Sequence, residues 1–94
     1  SYTNVEIGGG RITGVETPPD GTSREFAMYH ADQYTAPTQG NFDTVHSVDG
    51  SAWYRQYAED TVSKTPYDAG DGKVAYNESI VQKLPPTPSR KDRI

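Results

Sequence analysis

Acid–base and nucleophilic chemistry in this chain would rest on His30 and His46, its only histidines, set among abundant Ser, Thr and Asp. A catalytic triad needs such residues held in a buried, shaped site, with the base oriented by a third group. Asp68-Ala69-Gly70-Asp71-Gly72 has the acidic and glycine content of a calcium-binding loop. Such a loop places oxygen ligands at alternating positions and closes with a bidentate Glu at the twelfth. Here Gly70 stands at the third position and Ser79 at the twelfth, so a plain turn is the expectation. Gly8-Gly9-Gly10 lacks the G-x-G-x-x-G spacing of a dinucleotide loop and the Lys-Ser/Thr of a phosphate loop. The sequence thus predicts no catalytic residue, no metal and no cofactor, and the chain is expected not to be an enzyme.

Chemistry of contact is better represented. Trp53 and seven tyrosines are spread over the whole chain, and Tyr and Trp give large contact area at low entropic cost. Trp53, Tyr54 and Tyr57 are the expected interface anchors, with Phe26 and Tyr29 next. A small aromatic core built around the same residues is the alternative, and the two roles are compatible. Residues 81–94 hold four Lys/Arg against one Asp/Glu, a sum of +3, whereas residues 1–80 hold five against twelve, a sum of −7. Arg90, Lys91 and Arg93 therefore read as an electrostatic arm on an acidic body. An acidic body repels phosphate, so nucleic acid is not the expected partner.

Whatever positions these residues is built from little apolar material. One Leu, four Ile, seven Val and two Phe make 14 strong core formers in 94 residues. That is below the ~20% under which chains tend toward disorder. With no cysteine there is no disulfide, and small scaffolds lacking disulfides or metals need another staple. A partner is the expected one.

The expected fold is a small, irregular α+β chain without an autonomous globular core. Val5–Ile7 and Arg11–Thr17 read as two strands around the three glycines. Thr22-Ser23-Arg24-Glu25 has capping-box spacing, predicting a helix over 26–34 that ends before Pro37. Trp53/Tyr57 and Tyr54/Ala58/Val62 recur at i, i+4 and predict a second helix over 52–62. Asn77 is read as the cap of a third helix over 78–84, ended by Pro85-Pro86. Residues 35–50 and 67–73 read as coil and turn. Residues 1–84 form one partner-dependent body and residues 85–94 a Pro-rich, basic C-terminal arm.

No run of ~20 apolar residues is present, so no membrane-spanning helix is expected. Ser1 is a residue that removal of an initiator Met would expose, and a removed leader would leave the same start. Cytoplasmic synthesis followed by incorporation into an assembly fits this sequence. The function so predicted is a non-enzymatic structural accessory subunit. It would be a linker, cement or decoration protein binding across a large, symmetric, multi-copy assembly, with a virion the leading setting. The alternatives are a linker subunit of another complex, such as a photosynthetic antenna, or a regulator that folds onto one soluble target.

Overall fold

The computed structural model describes residues 1–91 and is all-β among them, with seven strands in two antiparallel sheets and no helix. Strands β1 (Tyr2–Gly8), β2 (Arg11–Glu16), β3 (Arg24–His30), β4 (Asp43–His46) and β5 (Ala52–Tyr57) form one sheet, ordered β1-β2-β3-β5-β4. Strands β6 (Glu59–Gly70) and β7 (Lys73–Lys83) form a second sheet on their own.

The expected α+β class is therefore corrected: none of the three predicted helices forms, and strands occupy most of each segment. Residues 26–30 lie in β3, residues 52–57 in β5, residues 59–62 in β6 and residues 78–83 in β7. The physical reason lies in the spacing that suggested helices. Residues four and eight apart share a face at period 3.6, but they also share a face at period 2. Trp53/Tyr57 and Tyr54/Ala58/Val62 thus fit a strand equally well. Residue type decides, because aromatic and β-branched side chains favour the pleated surface. Phe26, Tyr29, Trp53, Tyr54, Tyr57, Thr61, Val62, Ile80 and Val81 are all of those types.

Both tight hairpins close through two-residue turns with positive φ at each central residue. Gly9 and Gly10 have φ of 59° and 74°, and Asp71 and Gly72 have φ of 56° and 71°. That is the type I′ geometry that matches strand twist, and it selects Gly and Asp-Gly. The N-terminal hairpin expected around Gly8–Gly10 is thus present, with a register irregularity between Thr3 and Glu6. The region read as a turn at 67–73 is the tip of a much longer hairpin.

Residues directly opposite across a ladder share a face, and successive residues alternate. The pairings Thr13↔Ala27, Ala27↔Gln56, Arg11↔Tyr29 and Tyr29↔Tyr54 define one face of the five-stranded sheet. The chain covers this face itself. Ala27, Tyr29 and Tyr34 form a buried cluster, with Tyr54 and Leu84 packed against it. The Tyr29 and Tyr34 rings meet edge to face at 5.1 Å. Buried Gln56 donates from Nε2 to the Gln39 carbonyl at 2.8 Å, tying down the covering loop. Close by, Gly40 runs so near Pro85 that a Cβ would stand 2.6 Å from its ring.

The C-terminal segment completes the cover. Thr35 N–H donates to the Ser89 carbonyl and Lys91 N–H to the Gln33 carbonyl. Arg90 lies over the Tyr34 ring at 4.7 Å. It donates from Nη2 to the Gly9 carbonyl at 2.7 Å and from Nη1 to Gln33 Oε1 at 3.3 Å. The fully buried core is as small as the composition dictates: Phe26, Ala27, Tyr29, Tyr34 and Ala58 are its apolar members.

Candidate interaction surface

The opposite face of the five-stranded sheet has no such cover. Its central row runs Ile7, Ile12, Met28, Arg55 and Asp43 across β1, β2, β3, β5 and β4. Beside it lies the row His30, Trp53 and Val45, and on the other side Phe26 and Tyr57. Phe26 is buried, with Tyr2 edge-on to it at 5.6 Å and Gly14 directly beneath its ring. Ile12, Met28, His30, Trp53 and Tyr57 are each partly exposed, and Ile7 is 76% exposed.

A chain of polar contacts fixes this face. Arg55 grips Asp43 with two hydrogen bonds, Nε to Oδ1 at 3.1 Å and Nη2 to Oδ2 at 2.6 Å. The hydrogen bond from Arg55 holds the Asp43 carboxyl below the usual carboxylate range. Arg55 also lies over the Tyr57 ring at 5.3 Å, and Tyr57 Oη donates to Glu16 Oε2 at 3.0 Å. Partial burial, then the hydrogen bond to Glu16, pushes the Tyr57 phenol above its ordinary value. Trp53 meets the His30 ring edge to face at 4.7 Å. These contacts hold the aromatic rings in place.

The second surface is the β6–β7 hairpin. Its two strands contact each other extensively and no strand of the five-stranded sheet to a comparable degree. The molecule accordingly measures 63 Å in its longest dimension and 20 Å in its shortest. Pairings Val62↔Ile80, Pro66↔Tyr76 and Asp68↔Val74 put Val62, Pro66, Val74, Tyr76 and Ile80 on one face. The Lys64–Glu78 ion pair, at 3.7 Å, interrupts them, and Asp68 shares the face opposite Val74. The reverse face carries Thr61, Ser63, Thr65, Asn77 and Ser79, with Tyr67 and Val81 near its two ends. Val62, Val74, Tyr76 and Ile80 are all exposed, Ile80 at 73%. A bare two-stranded hairpin is marginal in water, and an apolar stripe along one side is surface that water disfavours.

The structure divides the residues expected at an interface. Trp53 and Tyr57 lie together on the open face. Tyr29 and Tyr54 lie on the covered face, Tyr29 within the buried cluster and Tyr54 packed against it, so their role is to hold the sheet. Phe26 is buried under Tyr2. In the expected electrostatic arm, the Arg90 guanidinium is exposed and is engaged by Gly9, Gln33 and Tyr34 of its own chain. Lys91 is placed by its backbone bond to Gln33, and Arg93 lies outside the described residues.

Sequence reasoning missed the hairpin's apolar stripe, along with Ile12, Met28 and the Arg55–Asp43 pair. The stripe had a signal: Asp71-Gly72, followed by alternating Val74 and Tyr76 with Ile80 beyond and preceded by the strand formers Thr61, Val62, Thr65 and Tyr67, is a short-range mark of a hairpin. Among the described residues, no group of three or more His, Asp or Glu is placed to hold a metal ion. Compared with known proteins, the chain matches no family model, no curated protein and no solved structure.

Proposed function

We propose that this chain is a non-enzymatic structural accessory subunit, a linker or decoration protein that grips a larger multi-copy assembly through its β6–β7 hairpin. The observation that carries the reading is the hairpin itself, which sends Val62, Tyr76 and Ile80 into solvent on a two-stranded ribbon. Folding such a ribbon confines some 25 residues and buries little of their apolar surface, so its stability must come from outside. The partly exposed Met28, Trp53 and Tyr57 on the open face supply a second contact on the body, with aromatic anchors of the kind that dominate interfaces. A virion is the setting proposed for the assembly, following the Gly/Thr/Asp-rich composition.

Site-specific photocrosslinking tests this. A photoreactive side chain at Ile80 or Tyr76 is expected to label the host assembly's major subunit, while one at Thr65 on the reverse face labels far less. Equal labelling from both faces, or none from either, overturns the hairpin assignment. Labelling confined to Trp53 and Tyr57 would favour the regulator reading, in which one soluble target sits on the open face.

A further inference from the structure

Every free strand edge among the described residues is blunted except one. Strand β1 is broken by a register irregularity between Thr3 and Glu6, with Asn4 at a φ of 53°. Strand β4 is only four residues long. Strand β6 contains Pro66, which has no N–H to give, and a register irregularity between Asp68 and Gly70. Short edges, bulges and prolines are three of the devices by which sheets avoid pairing with other chains. Strand β7 has none of them: eleven residues without proline, glycine or positive φ, continuous in register from Val74 to Lys83.

We propose that β7 is a self-association edge, pairing antiparallel with β7 of a second copy about a two-fold axis at Glu78. This rests on the reading of the hairpin as the binding element and names one of its occupants. The sequence of β7 is self-complementary about that axis. The pairing sets Tyr76 opposite Ile80 of the second copy, and Ile80 opposite its Tyr76. Two unbroken apolar rows then cross all four strands, each running Pro66, Tyr76, then Ile80 and Val62 of the other copy. Between them lies a row of Lys64, Glu78, Glu78 and Lys64, in which each carboxylate already has its own lysine.

Other registers are worse. Centring on Asn77 sets Tyr76 against Glu78, and centring on Ser79 sets Ile80 against Glu78. A slip of one residue would turn the apolar row to the wrong face. The backbone agrees. Pro66 stands opposite Tyr76 and cannot donate across the ladder, so that position is a non-hydrogen-bonded pair. By alternation, the N–H groups of Tyr76, Glu78 and Ile80 point to the outer edge, where the second β7 would take them.

The absence of cysteine makes the test direct. In the full chain, Glu78→Cys would face its own copy across the axis. Hydrogen-bonded antiparallel pairs have Cα atoms about 5.5 Å apart, within the span of a disulfide. Mild oxidation of Glu78→Cys is expected to give a covalent dimer. Tyr76→Cys or Ile80→Cys alone should give little, whereas the double variant should crosslink. In sedimentation equilibrium the unmodified chain should be dimeric and Glu78→Pro monomeric, with the thermal melt of the body unchanged. A monomeric unmodified chain, or Tyr76→Cys crosslinking as well as Glu78→Cys, overturns the proposal. If Ile80 still labels a host assembly in that case, self-pairing fails and the accessory-subunit reading stands.

Discussion

Arg90 and Gly9, 81 positions apart in the chain, are joined by a 2.7 Å hydrogen bond from the guanidinium to the carbonyl of the first hairpin turn. The same guanidinium lies on Tyr34, whose ring packs edge-on to Tyr29 in the core. One charged side chain thus closes the C-terminal segment over the β1–β2 turn.

Arg90→Ala should lower stability by about 1–2 kcal/mol, the scale of a charged hydrogen bond with its stacking contact. For a domain of this size that is a fall in Tm of about 4–8 °C per kcal/mol, read by thermal melting. Arg90→Lys should recover only part of it, since an ammonium lacks the planar fork. A lysine variant as stable as the native chain would mean that charge alone matters there.

Tyr29 and Trp53 should separate stability from binding. Tyr29 is 1% exposed, and truncating a buried aromatic costs about 3–5 kcal/mol, so Tyr29→Ala is expected to unfold the body. Trp53 lies on the open face against His30. Trp53→Ala should leave a cooperative melt within a few degrees of native yet weaken association with the partner by at least tenfold. Unchanged affinity would remove Trp53 from the interface.

Two aspartates should shape the acid limb of stability. Hydrogen bonds from the Ser47 side chain and the Ser51 N–H lower Asp49 to about 2, and the hydrogen bond from Arg55 lowers Asp43. A folded-state value below the unfolded one gives stability that is present above about pH 4 and is lost as pH falls through the folded value. Tm should therefore drop between pH 4 and pH 2. The double variant Asp43→Asn/Asp49→Asn should flatten that drop, and an equally steep limb would contradict these assignments.

Hydrogen exchange should divide the isolated chain in two. Backbone amides at Ala27, Tyr29 and Gln56, in the central strands, should exchange slowest. In the monomeric Glu78→Pro chain, those of β6 and β7 should exchange orders of magnitude faster, because a bare ribbon opens locally at little cost. Uniform protection along both sheets would show that the hairpin needs no partner.

Parts of this architecture were legible in the sequence for definite reasons. The Gly8–Gly10 hairpin was readable because three glycines between two alternating segments leave few other geometries. The small core followed from the scarcity of Leu, Ile, Val and Phe. The strands at Phe26, Trp53 and Ile80 were misread because spacings of four and eight fit both helix and strand. In β3, apolar side chains point to both faces, since Phe26 and Met28 oppose Ala27 and Tyr29, which erases the alternation that marks a strand. The role of Arg90 was not legible because its partners, Gly9 and Tyr34, are brought to it only by the completed fold. At the candidate surface, Trp53 and Tyr57 could be named from residue type, whereas the stripe from Val62 to Ile80 required the register of β6 on β7.

The hairpin, rather than the body, is proposed to carry attachment to a larger assembly. The most direct test is sedimentation of extracts from cells that make the protein, comparing the full chain with one shortened at the hairpin. Glu59 and Lys83 are paired neighbours, so a short Asn-Gly turn can replace residues 60–82 and leave the five-stranded sheet intact. The full chain is expected to travel with a large particle while the shortened chain, still folded, stays near the top of the gradient. Equal co-sedimentation of the two would contradict it.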